Sequence, residues 1–210
     1  MNNKKSSREN KKKIFRDNYS ESWGYIKSIK NYVLFVILIF LISVLLGFTC
    51  HTPQIDEALK KIIEDILNKT TGKDFFEMFI FIFTNNLNSS LLSFIVGAFF
   101  GIFPLISVSL NGYLLGFVME KSIGLAGIGV VWKLFPHGIF ELPAFFLAAA
   151  LGLRLGATVI SKIKMLISNK NKKGYLLGNF QKSAKVFIFI IIPLLLIAGI
   201  IETALIFLVK

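Results

Sequence analysis

The chain has 210 residues, 54% of them hydrophobic, and a formal net charge of +12. Its apolar residues are gathered into long uncharged blocks rather than spread at core spacing, which excludes an ordinary soluble domain and requires a bilayer. The blocks do not alternate, which excludes a transmembrane β-barrel, and the single cysteine, Cys50, excludes an intramolecular disulfide and a cysteine-based metal cluster.

Residues 1–30 form a basic arm, with nine Lys and Arg against Glu9, Asp17 and Glu21. The first apolar block, Asn31–Cys50, lies too far from the start and is too long for a typical signal peptide. It is read as a retained span. The stretch from His51 to Asp74 is a mixed-charge loop in which Ile55, Leu59, Ile62, Ile63 and Ile66 recur at helical spacing. That pattern suits a short amphipathic helix, either on the membrane surface or solvated. No charged residue occurs between Glu77 and Glu120. The interval has room for two spans, at about 75–100 and 103–119, reversing near Gly101-Ile102-Phe103-Pro104. A glycine-rich connection, Glu120–Phe135, is too short to cross and offers Trp132 as an interfacial anchor. A fourth span is expected at about 139–160 and a fifth at about 186–209. Between them, Ser161–Lys185 carries seven lysines and no acid.

The predicted fold is therefore an all-α polytopic bundle of about five transmembrane helices, residues 31–210, behind a cytoplasmic arm. Lysine-rich segments stay cytoplasmic. Four crossings separate the arm from Ser161–Lys185, so the parity is consistent with the N-terminus inside and the C-terminus outside. The lysines flank apolar blocks and form no stripe interleaved with stacking aromatics, so nucleic acid is not an expected partner.

Two ladders of small residues repeat every four positions. Ser89, Ser93, Gly97 and Gly101 mark the second span, and Ala144, Ala148, Gly152 and Gly156 the fourth. Gly112 and Gly116 do the same in the third. Such stripes let helices approach closely. Asn85, Asn86, Asn88 and Asn111 lie at membrane depth, where an amide must bond across helices or reach water. Pro136-His137-Gly138-Ile139-Phe140-Glu141-Leu142-Pro143 places an imidazole and a carboxylate four apart on one helical face. Pro136 suits a helix start, and Glu141 in a first turn would complement the helix dipole. The same pair could instead recognise a partner or substrate at the outer face. One His and one carboxylate do not complete a zinc site, and the distant His51, Asp56 or Glu120 would be needed. No phosphate loop or Ser-His-Asp set is visible. The expectation is a non-enzyme without cofactor or metal. Arg154 is expected to snorkel to the cytoplasmic interface rather than to form a buried ion pair, and Glu202 to reach water at the other end.

The carriers Thr84-Asn85-Asn86, Gly97, Gly101, Asn111-Gly112, Gly116, Pro136-His137-Gly138-Ile139-Phe140-Glu141-Leu142-Pro143 and Gly152-Leu153-Arg154-Leu155-Gly156 make the chain resemble the stage II sporulation protein M family. The resemblance covers most of the chain from about Asn31 and is best between Phe81 and Gly156. It implies a five-span integral membrane protein without a catalytic domain. In spore-formers the family member is a scaffold that gathers the peptidoglycan-cleaving stage II sporulation proteins D and P. Relatives also occur in archaea and other organisms that never sporulate. The implied partners are the bilayer and membrane or wall-associated proteins, with a homo-oligomer as another arrangement the stripes permit. The residues alone leave open a transporter, channel or permease subunit, in which Asn85, Asn86, Asn111 and Glu141 line one cleft.

Reporter fusions test the topology. A phosphatase fused after Lys172 should be inactive and a fluorescent protein there should glow. An active phosphatase at that position contradicts the orientation.

Overall fold

A computed structural model describes residues 2–50, 52–168 and 174–208. Among them the regular structure is helical throughout. The helices are α1 (Asn2–Ser28), α2 (Lys30–Thr49), α3 (Pro53–Thr70), α4 (Phe75–Val96), α5 (Ile102–Ala126), α6 (Val131–Ile167), α7 (Tyr175–Val186) and α8 (Ile192–Leu208). A 3-10 turn, Ile128–Val130, leads into α6, and a π-helical turn, Phe187–Ile191, joins α7 to α8. Five helical segments are long and apolar enough to cross a membrane.

Local chemistry sets the helix ends. Asp74 and Glu77 form a capping box: the Glu77 N–H donates to Asp74 Oδ1 at 2.8 Å and the Asp74 N–H to Glu77 Oε2 at 3.2 Å. This satisfies two donors that α4 would otherwise leave unpaired. At the end of α2 the Tyr113 hydroxyl donates to the Cys50 carbonyl at 2.6 Å, covering an acceptor that the helix cannot reach. The reversal between α4 and α5 closes with Gly101 N–H donating to Gly97 O at 2.8 Å. Phe100 and Gly101 both take positive φ there, 58° and 74°. Only glycine adopts that conformation without penalty. The π turn lies just before Pro193, which has no N–H to continue the ladder. Wide turns of this kind accommodate such a break.

Helix α6 is the hub. Ala144, Ala148, Ala149, Ala150 and Leu151 are completely buried, with α2, α4, α5 and α8 packed around them. Helix α5 lies mainly along α2, and α4 lies along α6 and α8. Glycine brings the backbones together. A Cβ at Gly116 would fall on the Val44 carbonyl oxygen, and one at Gly47 on that of Tyr113. A Cβ at Gly152 would fall on the Ser93 carbonyl oxygen and 2.8 Å from Pro104 Cγ. At Gly156 it would lie 2.7 Å from the Gly97 oxygen. Aromatic rings fill the space between these contacts: Phe40 meets Phe146 at 4.9 Å, and Phe94 stacks on Phe187 at 5.3 Å. The outside of α2 is apolar, with Leu34, Leu38, Leu41 and Leu45 all exposed. An apolar surface of this kind belongs against lipid.

Several boundaries differ from the sequence reading. Helix α4 stops at Val96 and the chain turns before Gly101, because the glycines at 97 and 101 let it fold onto α6. Helix α6 begins at Val131 and ends at Ile167, well outside 139–160. At 1.5 Å per residue it is about 55 Å long, far more than the hydrocarbon thickness of about 30 Å. The basic arm is itself a helix, broken from α2 only at Ile29. Its Tyr25 and Ile29 are buried against α7 and the π turn. The amphipathic stretch after Pro53 forms α3, tied to α5 by Asp56 and Lys121 at 3.5 Å. Ile55 on it is exposed. The side chains of Ile62, Ile63, Ile66 and Trp132 lie outside the described residues.

Gly152→Leu should lower the thermal stability of the detergent-purified protein by at least about 2 kcal/mol, because a side chain there must displace backbone. Gly124→Ala is the control. Nothing lies within 4 Å of a Cβ at Gly124, so the change should be neutral or slightly stabilising.

Candidate partner-binding face

Contacts between helices fix the depth of each polar group. On α2 and α6 the paired residues Tyr32–Arg154 and Phe40–Phe146 are each eight positions apart on their own helix, in opposite directions. The two helices are therefore antiparallel and in constant register. By that register Glu141 is level with Leu45, roughly one turn from the end of α2. Ser93 of α4 touches Gly152, so Asn85, two turns earlier, is level with Ala144. Asn111 precedes Gly112, which faces Phe40 and Ser43. Asn85, Asn111 and Glu141 thus occupy one slab of the membrane.

The slab differs inside and out. Its interior is mostly apolar, with Phe40, Ala144, Phe145 and Ala148 buried, and among the described residues it carries no buried amide; its one buried polar side chain on α2 is the hydroxyl of Ser43. Asn85, Asn88 and Asn111 are exposed on the surfaces of α4 and α5, and Asn86 is half-buried. The Asn111 Nδ2 donates to the Ser107 carbonyl of its own helix at 2.8 Å. Its amide oxygen and second N–H remain to be used. Among the described residues no hydrogen bond links Asn85 or Asn86 to Asn111. Depth brings the predicted site residues together, but mutual bonding does not.

Gly112 belongs to the packing rather than to the polar face. A Cβ there would lie 2.7 Å from the Phe40 oxygen and 2.9 Å from Ser43 Cβ. The other small residues have related positions. Ser93, Gly97, Gly101, Gly116, Gly152 and Gly156 are buried, whereas Ser89 is half-buried. Around the Pro136 motif the geometry departs from the sequence reading. Pro136 is more than a turn inside α6, not at its start, and Glu141 is about three turns in, with no acidic residue in the first turn. The residues from Val131 to Phe135 continue the helix backwards. The donor missing at Pro136 is a gap that helices in membranes tolerate. Glu141 is half-buried and engaged in an interaction, and Gly138 packs against Leu142 of its own helix. The side chains of Pro136 and His137 lie outside the described residues. Among the described residues no three His, Cys, Asp or Glu side chains come together as a metal site.

One family model matches this chain, that of stage II sporulation protein M, over residues 36–205. The chain belongs to the stage II sporulation protein M family. It is also similar to an uncharacterized protein of Methanocaldococcus jannaschii, at 30% identity over 183 residues, covering 82% of this chain and 80% of that protein. No solved structure gives a significant match. The match begins within α2, after the basic arm, and ends within α8.

Sequence reasoning missed a second polar cluster at the other end of the bundle. Tyr25 donates to Asn179 Oδ1 at 3.5 Å and accepts from Ser183 Oγ at 3.3 Å, and Lys185 pairs with Glu21 at 2.6 Å. These contacts place α1 and α7 at one end of the bundle. Arg154 lies close by, against the Tyr32 ring at 5.8 Å. The available signal was the pair of tyrosines flanking the start of the first apolar block.

A cysteine at position 21 and one at 185, in a chain with Cys50→Ser, should cross-link with a short bifunctional thiol reagent in native membranes. Absence of the link while a 75/207 pair, whose rings are 5.6 Å apart, still reacts would contradict the docking of α1 on α7.

Proposed function

We propose that this protein is a multi-pass scaffold of the cell membrane that recruits partner proteins through the exposed faces of α4 and α5. The observation that carries this reading is the placement of Asn85, Asn88 and Asn111 on the outside of a bundle whose interior at the same depth is mostly alanine and phenylalanine. A free amide facing hydrocarbon is costly, and a polar group on a neighbouring helix relieves that cost. The packing supports it further. Glycine contacts between α2 and α5, and between α4 and α6, make a rigid platform with no need for turnover. Kinship with stage II sporulation protein M, a family with a scaffold in spore-formers, points the same way. The partners are membrane or wall-associated proteins, or a second copy of the chain. On this reading the arm and Ser161–Lys185 face the cytoplasm, and Glu141 and α3 stand towards the outer side.

A transport role has one observation in its favour, the common depth of Asn85, Asn111 and Glu141. On that reading these groups would line water.

Photo-cross-linking separates the two. A benzophenone amino acid at Leu110, beside Asn111, should capture a discrete membrane protein, whereas one at Leu38 on the lipid-facing side of α2 should give only diffuse lipid adducts. Asn111→Leu should weaken the protein adduct several-fold. Cysteines at 85 and 111 that react rapidly with a membrane-impermeant thiol reagent, with no protein adduct from position 110, would replace scaffolding with a hydrated path.

A further inference from the structure

Arg154 stands without a counter-ion. No acidic side chain comes within ion-pairing distance of it among the described residues, and its Nε is shielded from solvent without a hydrogen-bond partner. Its guanidinium carbon is 5.8 Å from the centre of the Tyr32 ring, and the buried Tyr25 lies close enough to influence it. Glu21, on α1 at the same end of the bundle, is occupied by Lys185.

Its depth is set by its neighbours in sequence. Gly152 and Gly156 flank Arg154 and touch Ser93 in the last turn of α4 and Gly97 and Gly101 in the reversal that follows it. Tyr32 is two residues into α2. Arg154 therefore sits where two spans end, at headgroup level, and the rest of α6 continues beyond the hydrocarbon. Lys27, Lys30, Lys182 and Lys185 collect at the same end and raise the local positive potential. A shallow, open depression of about 210 Å³, lined by Asn31, Tyr32 and Phe35, lies beside the tyrosine.

We infer that Arg154 and Tyr32 bind the phosphate of an anionic phospholipid, one of whose acyl chains lies along Phe35. A guanidinium offers a planar fork of donors that matches phosphate oxygens, and such charge-assisted bonds are the strong ones. The Tyr32 hydroxyl supplies a further donor at the edge of the site. This binding does not depend on the scaffold reading. It requires only that the Arg154 end of the bundle lies at a membrane surface.

Native mass spectrometry of the delipidated full chain, offered equal amounts of phosphatidylglycerol and phosphatidylcholine, tests it. The wild type should retain phosphatidylglycerol with about tenfold preference. Arg154→Gln should abolish that preference, while Lys185→Gln should leave it largely intact. If Arg154→Gln fails to fold, Tyr32→Ala carries the test, with an expected several-fold loss. Equal retention of both lipids by the wild type, or equal losses in the Arg154 and Lys185 variants, would overturn the site. Displacement of the lipid by an equal concentration of inorganic phosphate would assign it to a free anion instead.

Discussion

Backbone-to-backbone contact at glycine is the constraint on which this structure rests. Lipid tails are as apolar as leucine, so helices in a bilayer gain little from burying leucine against leucine. They gain from close approach, and close approach requires that a side chain be missing. Gly97, Gly152 and Gly156 remove three side chains where the α4–α5 turn meets α6, and Gly47, Gly112 and Gly116 do the same between α2 and α5. The buried alanines of α6 extend the same logic along the hub. A bundle packed this closely keeps amides out of its interior at mid-depth. Asn85, Asn88 and Asn111 are consequently left on the outside, and the functional argument starts there.

The second constraint is length. Helix α6 is far longer than the bilayer is thick, so part of it must stand in water or among headgroups. Helix α6 packs against α7, and α7 in turn carries α1. Contacts there are of a different kind from those in the membrane: a lysine–glutamate pair and hydroxyl groups bonded to one another. An exposed ion pair such as Lys185–Glu21 adds little stability by itself. Burial of Tyr25 and Ile29 does more to hold α1 in place. The bundle thus has a membrane part held by shape and a polar end layer held by mixed contacts, with Arg154 at the boundary.

Much of the fold was legible because the bilayer imposes a simple code. The uncharged interval from Met78 to Met119 forced two spans, and the Gly and Pro residues at 101–104 located the reversal to within a few residues. Spacing by four revealed the small-residue stripes, although it did not say which helix each stripe would meet. Other features depend on tertiary contacts and were hidden. The arm is too polar to be recognised as a helix by periodicity. It is held by α7, whose own role is not visible in Tyr175–Val186. Proline at 136 suggested a helix start, but α6 extends more than a turn before it, through Val131–Phe135. Gly112, read from its spacing to Gly116 as a packing residue, meets α2 at Phe40 and Ser43. The outward placement of the asparagines is likewise a product of packing. Sequence fixes their depth but not their direction.

Cysteine cross-linking in native membranes tests the central claim, that α6 is the hub around which the other spans pack through a fixed register. In a chain with Cys50→Ser, cysteines replacing Phe40 and Phe146 should be joined efficiently by a short bifunctional thiol reagent, and cysteines replacing Leu38 and Phe146 should not. Efficient linkage from position 38 with none from position 40 would turn α2 away from α6 and contradict the account.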